Sequence, residues 1–168
     1  GAVEKLFARF DRHLEEHGLM ASGGQIIDAS IVPVPKQRND RKENDTIKAG
    51  ETPKAWKKEP AKLRQKDVDA RWTMKNKQRH YGYKNHVNAD KKHKLIRRYH
   101  VTGASLHDSN AFDEVFDAKN TAKDIWADSA YRAREREEGL KARGYRSHIH
   151  HKGTRGHPLS EAKQAANT

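Results

Sequence analysis

The chain has 168 residues, 33% of them hydrophobic and 35% charged, a balance that suits one soluble domain with a modest core. Lys and Arg number 35 against 23 Asp and Glu, a formal charge of +12 that concentrates polyanions and makes nucleic acid the first partner to expect. The absence of cysteine excludes disulfide frameworks and thiolate zinc sites, and no apolar run reaches membrane-spanning length, so the expectation is no membrane partner and a cytoplasmic location. The chain opens on Gly1 rather than Met and reads as part of a longer frame.

Val3, Leu6, Phe7, Phe10 and Leu14 recur at helical spacing before Gly18, which predicts an amphipathic helix over residues 2–17 inside a lead-in of residues 1–22. GQIIDASIV follows Gly23 and Gly24 and ends at Pro33 and Pro35, the pattern of a core strand with Asp28 in its middle. Residues 36–79 then carry 15 Lys and Arg against 7 Asp and Glu, a net of +8. With Gly50, Pro53 and Pro60 breaking periodicity, the segment reads as a long basic insertion that buries little apolar surface by itself. YGYKNHVNA and HKLIRRYHVTG read as two strands of a hairpin turning at Asp90, Lys91 and Lys92. Asp108 and Ser109 supply cap chemistry for a short helix through Phe112 and Phe116. DIWADSA is a short buried strand ending at Asp128, residues 131–143 a helix closed by Gly144, SHIHH a strand, and the stretch after Ser160 the start of a helix. Strands and helices alternating around one sheet make the expected class α/β.

Asp28 and Asp128 are the two carboxylates set in apolar strands, where an aspartate is disfavoured unless something satisfies its charge. Two readings meet there. A divalent cation bound through few carboxylates would satisfy both and suits phosphodiester chemistry. The structural alternative is an ion-paired, buried Asp28 and a capping Asp128.

GQIIDASIV, HYGYKNHV, VTGASLHDSNAF and IWADSAYRA, in that order, resemble the successive motifs of the DDE transposases of bacterial insertion sequences, in their insertion-sequence-five-like branch. The resemblance covers most of residues 23–168. It implies a ribonuclease-H-like mixed sheet with flanking helices and the basic insertion after the first core strand. It implies Asp28 and Asp128 as catalytic metal ligands for Mg²⁺ or Mn²⁺. The implied reaction is hydrolysis of DNA at the ends of a mobile element and joining of the freed 3′-hydroxyl to target DNA, by a full-length protein that is a homo-oligomer working in the bacterial cytoplasm at the nucleoid. The family's third ligand is a glutamate on a later helix, and no motif of that kind is present here, so the fragment is expected to be inactive. Glu161 is the late candidate, but the first turn of a helix favours an acid for its dipole alone.

Lys57, Lys58, Lys75, Lys77, Arg79, Lys84 and Arg132 are the expected DNA contacts. Trp56 and Trp72 either stack on nucleic acid or dock the insertion, and Tyr81, Tyr83 and Tyr99 read as core or cross-strand pairs. His86, His93, His100 and His107 lie seven apart, which on strands alternates faces and forms no metal site. His148, His150 and His151 lack a further ligand at zinc spacing. The competing reading from composition is a basic DNA-binding module without catalysis, which has no need of acids on apolar strands.

Overall fold

The computed structural model describes residues 1–19 and 21–167. In chain order the elements are α1 (Ala2–Glu16), β1 (Gln25–Pro33), α2 (Arg41–Lys48), α3 (Lys54–Lys57), α4 (Pro60–Gln65), β2 (Arg71–Lys75) and β3 (Gln78–Asp90). There follow β4 (Ile96–Gly103), α5 (Phe112–Val115), β5 (Asp124–Ala127), α6 (Arg134–Ala142), β6 (Arg146–Ile149) and α7 (Glu161–Ala165). The strands form one mixed sheet in the order β2-β3-β1-β5-β6, with β4 paired to β3. The architecture is mixed α/β with flanking helices, as the alternation of strand and helix patterns predicts. Among the described residues no helix is long and apolar enough to cross a membrane.

The chain divides into two compact units. The first comprises residues 1–29, 86–100 and 107–168, and the second residues 30–85 and 101–106. In the first unit β1, β5 and β6 run parallel, with Ile27 beside Ala127 and Ala127 beside Ile149. Period-two alternation sends Ile27, Ile125, Ala127 and Ile149 into a core shared with Phe112, Val115, Tyr131 and Leu140, with Phe116 and Tyr145 packed at its edge. Gly24 takes a left-handed φ of 90°, and a Cβ there would meet the Trp126 ring and the Asp124 carbonyl, so only glycine lets β1 begin this close to β5. Buried amides pin the same strand end. The Gln25 side-chain oxygen accepts from Asn88 Nδ2 at 2.5 Å and from the Asp117 N–H at 2.9 Å. Asp90, almost fully buried, accepts from the backbone N–H of Gly23 and of His93. Burial pushes its carboxyl up, yet these bonds outweigh it and leave it below the ordinary range. The predicted amphipathic helix forms as α1, burying Leu14 and setting Phe7 edge-on to Tyr99 at 4.9 Å, while Val3, Leu6 and Phe10 stay exposed.

The second unit departs from the reading of residues 36–79 as a segment with little buried surface. Asp40 caps α2 in a reciprocal capping box with Glu43, so the insertion starts on a defined helix. Glu43 then accepts from the Trp56 indole at 2.6 Å, Trp56 is fully buried, and the Lys66 ammonium sits 4.9 Å over its ring. One aromatic side chain thus organises α2, α3 and α4. A second unanticipated element is a hairpin: β2 pairs antiparallel with the start of β3, from Arg71 beside Gly82 to Lys75 beside Gln78. Its two-residue turn, Asn76 and Lys77, is left-handed at both positions, the geometry of a type I′ turn. Asp67 accepts the Tyr83 hydroxyl at 2.7 Å and the N–H groups of Asp69 and Ala70, which closes the loop entering β2.

Trp56→Ala removes the anchor of this unit. Truncating a buried tryptophan costs about 3–5 kcal/mol. The expected outcome is a lower urea midpoint together with faster tryptic cleavage after Lys48, Lys57 or Lys58 than in the parent. An unchanged digestion pattern would show that the three helices are held by something else.

Candidate functional site

Parallel pairing of β1 and β5 continues to Ile27 beside Ala127, and one residue further each strand presents an aspartate, Asp28 on β1 and Asp128 just past β5. Because side chains alternate, both lie on the face opposite the buried Ile27 and Ala127, and both are exposed. Asp28 is therefore no buried ion-paired residue. Its Oδ1 accepts the Ala29 N–H at 2.7 Å. Asp128 does act as a cap, its Oδ1 accepting the Ala130 N–H at 2.8 Å at the head of a 3₁₀ turn, Ser129–Tyr131.

Tyr131, at the end of that turn, is fully buried, and its hydroxyl has no hydrogen-bond partner among the described residues. Burial pushes its phenol up, and the carboxylates of Asp108, Asp28 and Asp128, in that order, push it further. Three acids thus act on one phenol. At Asp108 the expected cap is corrected. The residue capping the 3₁₀ turn Asp108–Ala111 is His107, whose Nδ1 accepts the Ser109 N–H at 3.3 Å, so Asp108 lies inside the turn. Arg136 on α6 ties the two turns together: Nη1 donates to the Tyr131 carbonyl at 2.5 Å and Nη2 to the Ser109 carbonyl at 2.7 Å. Its guanidinium also stacks 4.5 Å from the Phe112 ring. In sequence it is one arginine in a charged helix, without a motif to mark it. The helix itself begins at Arg134, three residues later than the apolar pattern suggests, because Ser129–Tyr131 form the separate turn.

The remaining predicted residues are placed as follows. Lys57, Lys58, Lys75, Lys77 and Arg79 are exposed. Lys84 is half-buried and donates to the Leu106 carbonyl at 2.7 Å. Arg132 donates from Nε to the Ile149 and His150 carbonyls and pairs with Glu137 at 3.6 Å. His148 bonds Asp124 at 2.8 Å and stacks on Trp126 with ring centroids 4.7 Å apart, so it serves an ion cluster with Arg146 that holds Asp124 well below the usual carboxylate range. Tyr81 stands across from Trp72, as a cross-strand pair. Ser160 precedes α7 but makes no side-chain capping bond, and Glu161 is exposed in its first turn. Among the described residues no three His, Asp or Glu are gathered closely enough to hold a metal by themselves.

A mixed α/β sheet carrying two aspartates at neighbouring strand positions defines a class of acid-bearing, basic domains. Residues 21–168 match the family model for the transposase DDE domain, and the chain belongs to that family. It is 27% identical, over 98% of its length, to the transposase for insertion sequence element IS1106 of Neisseria meningitidis serogroup B. The chain spans 55% of that relative's length. No solved structure matches it.

Arg136→Ala should loosen both turns. A hydrogen bond from a charged group contributes about 1.5–3 kcal/mol, so the expected result is a lower urea midpoint, partly recovered in Arg136→Lys. A variant as stable as the parent would remove Arg136 from the support of the site.

Proposed function

We propose that this chain is the catalytic domain of an insertion-sequence transposase, with a ribonuclease-H-like core, acting on DNA ends and target DNA. The observation that carries this reading is the register: a parallel pair of strands puts Asp28 and Asp128 at neighbouring positions on one exposed face. Each carboxylate spends one oxygen on a backbone N–H and keeps hard oxygen donors for a cation, so the pair fits Mg²⁺ or Mn²⁺, which bind through few carboxylates plus waters. Such an ion supplies charge stabilisation to the attacking and leaving oxygens of phosphodiester exchange. Asp28 and Asp128 would hold it, and the cap at Ala130 fixes the Asp128 rotamer. Arg136, which bonds the carbonyls of Tyr131 and Ser109, is the positioning residue for the turn that carries Asp128. The third acid that the family resemblance implies is assigned to no residue here, and the chain alone is proposed to cut inefficiently.

Lys57, Lys58, Lys75, Lys77 and Arg79 are proposed to bind phosphates, while Lys84 and Arg132 are held by carbonyls and act closer to the fold. The full-length protein is proposed to work as a homo-oligomer on nucleoid DNA.

Two measurements test the reading. Mn²⁺ titration of the chain should show weak binding that Asp28→Asn and Asp128→Asn each abolish. Cleavage of a duplex carrying the element's ends should be efficient only in a longer chain reaching a further acidic helix, and lost there with Asp28→Asn. A missing metal ligand costs at least the roughly 10²- to 10³-fold of a lost transition-state donor. Robust cutting by this chain would make Glu161 the residue to mutate next. Metal binding indifferent to both aspartates would leave a non-catalytic DNA-binding module.

Neutralising Lys57, Lys58, Lys75, Lys77 and Arg79 together should flatten the salt dependence of duplex binding by about 0.9 in log–log slope for each phosphate that is no longer neutralised. An unchanged slope, measured by fluorescence anisotropy from low to moderate salt, would put the binding face elsewhere.

A further inference from the structure

The two tryptophans of the basic segment have different fates. Trp56 is sealed inside the unit, but Trp72 on β2 is 50% exposed, and Met74, two residues on and therefore on the same face, is 70% exposed. Across the hairpin Trp72 faces Tyr81, ring to ring at 5.2 Å, and Met74 faces Arg79. Trp72, Thr73, Met74 and Arg79 line an open hollow of about 440 Å³. Lys36 holds its ammonium 5.7 Å from the Trp72 ring, and Lys75 beside the turn and Lys77 within it stand in solvent. Residues 71–79 contain four cations and no carboxylate.

Trp72 and Met74 together leave a contiguous apolar patch in water rimmed by cations, the arrangement of a contact surface rather than of a singly exposed side chain. The occupant is indicated by the surroundings. A protein partner meeting this face would have to be acidic and apolar at once. Nucleic acid offers both halves in one repeat, phosphates for Lys75, Lys77 and Arg79 and the flat face of a base for the indole. Intact duplex hides its base faces, whereas an unpaired strand displays them.

We propose that the β2–β3 hairpin is a stacking wedge for DNA with unpaired bases: Trp72, backed by Tyr81 and flanked by Met74, takes a base, and Lys75, Lys77 and Arg79 take the neighbouring phosphates. This rests on the DNA-acting reading above and specifies which form of DNA that surface prefers.

The test compares anisotropy titrations of a labelled duplex with blunt ends and the same duplex with an unpaired 3′ overhang. The proteins are the parent chain, Trp72→Ala, Trp72→Phe, Met74→Ala and Lys75→Ala/Lys77→Ala/Arg79→Ala. The overhang should bind the parent more tightly than the blunt duplex. Trp72→Ala should lose roughly 5- to 100-fold on the overhang, the effect of removing one stacking aromatic, with the salt slope unchanged and blunt-duplex binding altered less than about twofold. Met74→Ala should weaken overhang binding by less than Trp72→Ala, since the thioether only flanks the base. Trp72→Phe keeps a ring and should recover most of the loss, which separates stacking from misfolding. The triple substitution should instead flatten the slope by about 0.7 per phosphate on the single-stranded part. Equal loss on both DNAs, or no loss in Trp72→Ala, overturns the wedge while leaving DNA binding intact. A parent chain that binds neither DNA overturns the DNA-acting reading itself.

Discussion

The parallel register of β1 on β5 is the constraint from which the rest of the candidate site follows. Side chains alternate along a strand, so a slip of one residue would exchange Ile27 for Asp28 in the core and turn the acid to the wrong face. Two features fix where β1 starts, one of them directly against β5. The Gly24 backbone approaches Trp126 and Asp124 more closely than any Cβ allows. The Gln25 amide is bound to Asn88 and Asp117, which come from β3 and from the loop after α5. Buried amides of this kind cost their desolvation unless all partners are present together, so they specify one pairing as much as they stabilise it.

Around those strands the site is assembled from turns rather than from regular elements. Asp128 begins one 3₁₀ turn and Asp108 lies in another, each capped locally, by Asp128 itself and by His107. Short turns have too few internal bonds to hold a side chain by themselves. Arg136, reaching both carbonyls from α6 and lying on Phe112, supplies the cross-tie, and Tyr131 anchors the second turn in the core.

The basic unit solves a different problem, how to fold a segment of net charge +8. Two of its acids do most of the internal bonding. Glu43 serves the α2 capping box, the Trp56 indole and Lys62, and Asp67 serves Tyr83 and two backbone N–H groups. Burial pushes the Asp67 carboxyl up, but the Tyr83 hydroxyl and the backbone bonds win, so it stays ionised at neutral pH. With these carboxylates committed to the fold, Lys75, Lys77 and Arg79 of the hairpin face solvent in a stretch that has no acid of its own, which is the charge distribution a polyanion selects.

Much of this was written in the sequence by itself. The apolar run around Asp28, the ADSAY stretch at Asp128 and the helical spacing of α1 are local patterns, and period-two or period-3.6 burial makes local patterns legible. The Asp40 to Glu43 capping box and the Asn76–Lys77 turn were equally local, though a surrounding excess of lysine masked them. Tertiary structure alone decided what depends on partners distant in the chain. Trp56 is buried because Glu43 and Lys66 meet around it, whereas Trp72 shares its strand face with Met74 and stays half in solvent. Arg136 ties the turn at Ser109 to the turn at Tyr131 because segments far apart in the chain meet at α6. Spacing along a chain carries no information about such convergence until loop closure has been completed by the sheet.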